Sequence, residues 1–136
     1  MLLSVRMLQS VSSVNDYDVT DQFVLTAGDT VTVYFQLIDL SKDRAALGNN
    51  PPGRRYIPAS GATLTATLLN IDSSKKINAR ACSQPFSTTD PSIWSFTITS
   101  ADTITGTCRL QVALTQSSVV TRGSKESAVL IYPSDP

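Results

Sequence analysis

Apolar and polar residues alternate along several stretches of this chain. The clearest stretch is residues 30–39, TVTVYFQLID, in which every second residue from Val31 to Leu37 is apolar. A period of two is typical of a β-strand with one buried face. The residues between, Thr32, Tyr34 and Gln36, are therefore expected on the solvent side of this strand.

The same alternation returns further along the chain. It is strong in GATLTATLLN (61–70), SIWSFTIT (92–99) and CRLQVALT (108–115). Weaker strand patterns are LLSVRMLQSV (2–11), DQFVLT (21–26), KKINARAC (75–82) and SAVLIYP (127–133). Together these segments predict seven or eight short strands, and no stretch shows a helical period.

Strands with a single apolar face must bury that face against something, and one open sheet leaves all of these faces exposed. The predicted fold class is therefore all-β: an immunoglobulin-like β-sandwich of about seven or eight antiparallel strands with one long inter-strand loop, residues 41–59. A jelly roll or a small barrel is the alternative. The aromatic residues on apolar strand faces are expected in the core; they are Phe23, Phe35, Trp94 and Phe96.

The size of the chain bounds the number of domains, and its charge limits the classes of partner that it can bind. Its 136 residues are expected to form one domain, residues 1–136. Lys plus Arg and Asp plus Glu number 11 each, so the formal net charge is zero, which argues against a general polyanion binder. No apolar run approaches the roughly 18 residues of a membrane span, so we expect a soluble protein that is not exported and that binds no membrane. We expect Cys82 and Cys108 to be free thiols, with a disulfide between them as the alternative.

The sequence offers little for catalysis. The chain has no histidine, which excludes Ser-His and Cys-His nucleophile pairs. Glu126 is the only glutamate, and most aspartates stand in turn-like contexts, where Asp is favoured for backbone reasons. We therefore expect no enzymatic activity, no cofactor and no small-molecule substrate.

One acidic cluster is a candidate metal site. The segment NDYDVTD supplies three carboxylates, from Asp16, Asp18 and Asp21, and an Asp-x-Asp pair in a sandwich loop is able to hold calcium through oxygen ligands. The segment lacks the glycine and the distal glutamate of an EF-hand loop. A solvated loop between the first two strands is therefore the favoured interpretation, and no metal is expected.

The long loop carries the candidate partner-binding residues. Residues 42–61, KDRAALGNNPPGRRYIPASG, hold Pro, Gly and Asn around the side chains proposed to bind, which are Arg44, Arg54, Arg55, Tyr56 and Ile57. Nucleic acid is disfavoured because a neutral chain with three arginines here is a weak electrostatic match. Nearly twenty residues without secondary structure is uncommon in a compact domain unless the segment has a use. A docking arm and an inert loop are the two remaining interpretations.

The order of the strong segments is similar to that of a known group of proteins. AGDTVTVYFQLID, then GATLTATLLNID, then SIWSFTITSADTITGTCRLQVALT and VTRGSKESAVLIYP, resembles small tailed-bacteriophage virion proteins with an immunoglobulin-like fold. Across residues 23–132 the layout is also similar to the N-terminal domain of phage baseplate upper proteins. The chain departs from that layout at AALGNNPPGRRYIP, because baseplate-type domains usually join these two strands by a shorter segment.

The resemblance implies a function without catalytic residues. It predicts a non-enzymatic structural protein of a tailed phage virion, assembled in the host cytoplasm and bound to other virion proteins in many copies. A single domain without a fused module favours a capsid-associated decoration or cement protein over a tail or baseplate adaptor. The segments MLLSVRML and AVLIYP are then expected to add to strand edges of adjacent chains. A receptor- or carbohydrate-binding sandwich and a secreted adhesion module are the alternatives from other classes.

Overall fold

The computed structural model describes residues 1–13, 16–41, 54–72, 74–85, 91–102 and 104–133; the side chains of residues 10–13, 16, 17 and 54 lie outside that description. Within these ranges the chain forms strands and turns and no helix. The strands are β1 (Leu3–Ser13), β2 (Asp16–Thr20), β3 (Phe23–Thr26), β4 (Val31–Asp39), β5 (Arg54–Arg55), β6 (Thr63–Asn70), β7 (Lys76–Ala81), β8 (Ile93–Ile98), β9 (Gly106–Gln116) and β10 (Val119–Tyr132).

These strands form two sheets that pack face to face. In sheet A, β4 pairs with β1 on one side and with β8 and then β5 on the other, and β2 lies beyond β1. In sheet B the order is β3-β10-β9-β6-β7. All of these pairings are antiparallel except that of β3 with β10, which is parallel. The predicted β-sandwich is confirmed, although with ten strands in the described ranges and one parallel pair.

The chain crosses between the sheets along both sides of the sandwich. On one side β2 of sheet A leads through Gln22 into β3 of sheet B. On the other side, the residues after β7 reach sheet A, where Ser83 and Ser95 exchange backbone hydrogen bonds of 2.9 and 2.8 Å. Arg80 strengthens this side, since its guanidinium donates to the Thr97 carbonyl at 2.8 Å and to the Asp102 carboxylate at 2.5 Å. The chain connects the sheets at the first side, and backbone and side-chain hydrogen bonds join them at the second.

The core lies between the two sheets and follows the predicted alternation. Val33, Phe35 and Leu37 of β4 are fully buried and face the apolar residues of β6 and β9. The aromatic residues expected in the core are all buried there; they are Phe23, Phe35, Trp94 and Phe96. The rings of Phe35 and Phe96 stack at a tilt with centroids 6.1 Å apart. Burial of each such side chain contributes about 1.5–3 kcal/mol to folding.

At one corner the two sheets touch without a side chain between them. Gly123 of β10 lies over the backbone of Leu3 in β1, so that a Cβ atom at this position would meet the Leu3 carbonyl carbon at 2.8 Å. Only glycine allows this approach. The glycine inside VTRGSKE, which weakens the strand pattern in the sequence, is therefore required by the packing.

Three strand segments differ from the prediction. β2 falls in the acidic segment expected to be a loop, and β5 falls within the long loop. β10 begins at Val119 rather than at Ser127. Its first half was not predicted because a bulge between Lys125 and Val129 shifts the register and interrupts the alternation. Ser127 lies in this bulge with φ 53°, a left-handed conformation that a strand pattern does not reveal.

The expectation that Gln36 faces solvent is wrong. Gln36 is 1% exposed and lies on the outer face of sheet A, where its neighbours Leu8, Ile38 and Ile93 are also buried. Its amide donates to Ser92 Oγ at 3.1 Å and accepts a hydrogen bond from the Arg6 guanidinium at 3.3 Å. Sheet A is therefore buried on both faces around β4, and its buried amide is satisfied by hydrogen bonds.

Candidate docking end

The second half of the long connection is attached to sheet A. Arg54 and Arg55 pair with Asp39 and Ile38 of β4, and the next backbone N–H, that of Tyr56, donates to the Leu37 carbonyl at 2.7 Å. β5 thus continues the edge of sheet A beyond the start of β8. The connection leaves β4 and returns to pair with it, so residues 54 and 55 are not part of a free loop.

Tyr56 also binds the connection to sheet B. Its ring is half-buried and packs against the core, and its hydroxyl receives a hydrogen bond of 2.9 Å from the Gln116 amide. The Gln116 carbonyl oxygen accepts from the Ala59 backbone N–H at 2.7 Å. Because Gln116 is the last residue of β9, this cluster joins the two sheets at one end of the sandwich.

A buried carboxylate fixes the start of the connection. Asp39 is 3% exposed, and its Oδ1 accepts hydrogen bonds from Ser41 Oγ at 2.6 Å, from the Ser41 backbone at 3.0 Å and from the Leu2 backbone at 3.2 Å. Burial alone would raise the pKa of this carboxyl, but the hydrogen bonds from Ser41 and Leu2 outweigh burial and hold the pKa below its ordinary value. Asp39 is therefore ionised in the native protein at neutral pH.

Large apolar side chains are exposed at this end. Leu2 is 58% exposed and Leu40 44%, and the two residues are joined by a hydrogen bond of 2.8 Å from the Leu40 N–H to the Leu2 carbonyl. Ile57, next to Tyr56, is 53% exposed, and Val119, opposite Gln116, is 64% exposed. We call this group, Leu2, Leu40, Ile57 and Val119, the apolar end.

The predicted partner-binding residues divide into three groups. Arg55 and Ile57 are exposed at the apolar end, and Tyr56 is half-buried and hydrogen-bonded to Gln116. Arg54 lies in β5 with its side chain outside the described residues, and Arg44 lies outside them altogether. Leu2, Leu40 and Val119 were missed because they meet only through the packing of chain segments that are distant in sequence, which no local pattern shows.

The acidic candidates for a metal site lie along an edge strand. Asp16 and Asp18 belong to β2, which pairs with β1, and Asp21 follows in the bend before β3. Asp18 and Asp21 are exposed, and the Asp16 side chain lies outside the described residues. Among the described residues, no group of three or more His, Cys, Asp or Glu side chains is placed to hold a metal ion.

The two cysteines are free and far apart. The Cys82 backbone donates to the Leu64 carbonyl, whereas Cys108 pairs with Asn70, six residues further along β6. At about 3.3 Å per residue this places the two cysteines about 20 Å apart along the strand, beyond the reach of a disulfide. Burial raises the pKa of the Cys82 thiol to about 12 and that of Cys108 to about 11, so both are protonated at neutral pH.

The described part of the chain holds no helix long and apolar enough to cross a membrane. No protein-family model, no curated protein and no solved structure matches the chain.

Proposed function

We propose that this protein is a non-enzymatic structural protein of a tailed phage virion, and that it serves as a capsid-associated decoration or cement protein. The order of its strong strands resembles that of small phage virion proteins with an immunoglobulin-like fold, and this resemblance supports its assignment to a virion. The apolar end supports action by docking. The partners of a decoration protein are other virion proteins, which are present in many symmetry-related copies. A modest interface in each copy is then multiplied by avidity.

The apolar end is the observation that carries the proposal. Four large apolar side chains that are 44–64% exposed gather at one end of the sandwich, beside Arg55. Exposed apolar patches on soluble domains mark interaction sites, and arginine is over-represented at interfaces. The backbone behind the patch is held by Tyr56, Gln116 and Asp39, so little conformational entropy is lost when a partner binds.

The copy number of the protein in purified particles tests the virion role. Quantitative mass spectrometry of the phage that encodes the chain is expected to find on the order of hundreds of copies, as a capsid lattice requires. A small number that matches the cyclic symmetry of a tail would instead support the tail or baseplate alternative. Absence from particles that retain their other proteins would refute a virion role.

A matched pair of variants tests the apolar end. Ile57→Asp places a charge in the patch, and we expect it to weaken binding to particles that lack the protein by at least about tenfold, as loss of a central apolar contact does. Ile71→Asp is the control, because Ile71 is 46% exposed but lies in the β6–β7 turn at the opposite end. Co-sedimentation gives the affinity and thermal melting checks the fold. Equal binding by the two variants would show that the apolar end is not the docking surface.

A further inference from the structure

β10 is paired on both sides over only part of its length. Residues 129–131 lie between β9 and β3. Residues 119–125 pair with β9, and among the described residues no strand pairs with their other side. In a strand paired on one side, alternate backbone N–H and C=O groups point away from the partner, so this half of β10 presents an open ladder.

The open half of β10 faces free space at the side of the sandwich. β2 pairs with β1 only from Met7 onward, because the chain turns toward β3 after Thr20. The side of the molecule beyond this point is a groove, lined by Ser4 and Arg6 of β1, by Leu40 and by Lys125 of β10. Ser4 Oγ lies 3.5 Å from the Ser124 carbonyl oxygen. Residues 119–123 therefore form the accessible stretch of this edge.

Two other stretches at strand edges are covered over part of their length. β8 is covered by the Ser83 bridge and by Arg80, which binds the Thr97 carbonyl. The strands of MLLSVRML and AVLIYP, which were expected to add to adjacent chains, pair on both sides over residues 7–8 and 129–131. At the start of β10, by contrast, Val119 and Val120 are 64% and 45% exposed. An apolar open edge of this kind is a template for another strand.

The tip of the hairpin presents this edge in a fixed form. β9 and β10 are joined by a two-residue turn, Ser117 and Ser118, with φ 48° and 68°. Positive φ at both positions is typical of the type I′ turn, whose twist matches that of the flanking strands. The edge is therefore already in the strand conformation before a partner adds to it, which reduces the entropy lost on pairing.

We propose that two copies of the chain pair antiparallel through residues 119–123 of β10, so that their B sheets become one continuous sheet. A second copy is the occupant because an isologous contact needs only one self-complementary patch and because a net charge of zero does not oppose close approach of identical chains. This pairing does not depend on the virion role.

The charges on β10 select the register. Centred on Thr121, the pairing places Val120 of each copy opposite Arg122 of the other, with both side chains on the outer face of the sheet. Centred on Arg122, it would place two guanidinium groups opposite each other, which is unfavourable. The Thr121 register also ends at residue 123, before the contact between Ser4 and Ser124.

Two opposite charges at Val120 test the contact and its register together. The wild-type chain is expected to show a monomer-dimer equilibrium in sedimentation equilibrium across a concentration series. In the dimer, position 120 of each copy lies opposite Arg122 of the other, so each substitution changes two equivalent contacts. Val120→Glu is expected to tighten dimerisation about fivefold, and Val120→Lys to weaken it about fivefold. Val24→Glu and Val24→Lys are the controls, since Val24 is 41% exposed on β3 of the same sheet, and they are expected to leave the dimer constant unchanged.

Hydrogen exchange locates the contact. The amides of Val120 and Arg122, which point away from β9, are expected to gain protection as the protein concentration rises, while those of β7 do not. A wild-type chain that remains monomeric at every concentration would overturn the proposal. A dimer that responds equally to Glu and Lys at position 120, or that is protected elsewhere, would overturn it as well.

Discussion

β4 and β9 are the central strands of the two sheets, and their sequences look alike. Each alternates apolar and polar residues, and each carries a glutamine at an outward position, Gln36 in β4 and Gln111 in β9. Their surroundings differ. Gln36 is 1% exposed among buried neighbours, whereas Gln111 is exposed on a sheet face that it shares with Thr65 and Thr67. The same pattern therefore produces a strand buried on both faces in sheet A and a strand buried on one face in sheet B.

This difference shows what alternation specifies. It predicts which residues face the core between the sheets, because the strand period is two. It does not predict whether the other face is covered, since that depends on parts of the chain distant in sequence. If the comparison is correct, equivalent substitutions on the outer faces of the two sheets must have unequal effects on stability.

The largest difference is expected from truncation of an outward aliphatic residue. Ile38 of β4 points away from the main core yet is 3% exposed. Ile38→Ala is expected to lower the free energy of unfolding by about 2–4 kcal/mol, through lost apolar burial and the cavity left behind. Chemical denaturation measures this loss. Thr65→Ala, on the exposed face of sheet B, is the control and is expected to change stability by no more than about 0.5 kcal/mol. A similar loss in the two variants would mean that the faces do not differ.

The two glutamines provide the next test. Gln36→Ala removes one hydrogen bond to Ser92 Oγ and one from the Arg6 guanidinium, both made by a buried amide, and is expected to cost about 1–3 kcal/mol. Gln111→Ala makes the same chemical change on β9, where water replaces the lost contacts, so its effect is expected to stay within about 0.5 kcal/mol. Urea unfolding of both variants measures the two losses. Equal losses would contradict a buried hydrogen-bond network around Gln36.

The smallest difference concerns the last residue of each strand. β4 ends on the buried carboxylate of Asp39, whereas β9 ends on the amide of Gln116. Asp39→Asn is expected to cost about 1 kcal/mol at pH 7, because charge-assisted hydrogen bonds from Ser41 and Leu2 are weakened. Since the folded pKa of Asp39 lies below its ordinary value of 3.8, its contribution to stability is complete above that value and is lost as the pH falls through the lower folded pKa.

The stability difference between wild type and Asp39→Asn should therefore shrink on acidification below about pH 3.8. Denaturation at pH 7 and at successively lower pH values measures it. Asp29→Asn, in the exposed turn before β4, is the control and is expected to match wild type throughout. A difference that stays constant with pH would show that the charge of Asp39 is not its source.

The two-sheet fold was predictable because its core follows a local rule. The eight segments with alternating or apolar patterns all form strands, and the aromatic residues on their apolar faces are buried. Neither β2 nor β5 was predicted, and the reason differs between the two strands. β2 contains Asp16 and Asp18, which favour turns locally but are acceptable on an edge strand, and β5 has only two residues, so no period is visible.

The apolar end was predictable only in part. Arg55 and Ile57 stand out in the sequence because they follow a run of Pro, Gly and Asn. Tyr56 belongs to the same run, but its ring packs on the core and binds Gln116, sixty residues away in the chain. A contact of that sequence separation leaves no local pattern. Leu2 and Val119 join the patch for the same reason, since the packing of two sheets brings their strand ends together.

The separation of Cys82 and Cys108 gives the protein two independent chemical reporters. Each thiol is kept unreactive by its surroundings, so its rate of alkylation measures how often those surroundings open. Cys82, half-buried just after the edge strand β7, reports local fraying of sheet B, while Cys108, fully buried in β9, reports opening of the centre of that sheet. A single labelling time course, read by mass at each cysteine, thus distinguishes fraying from global unfolding without any engineered probe.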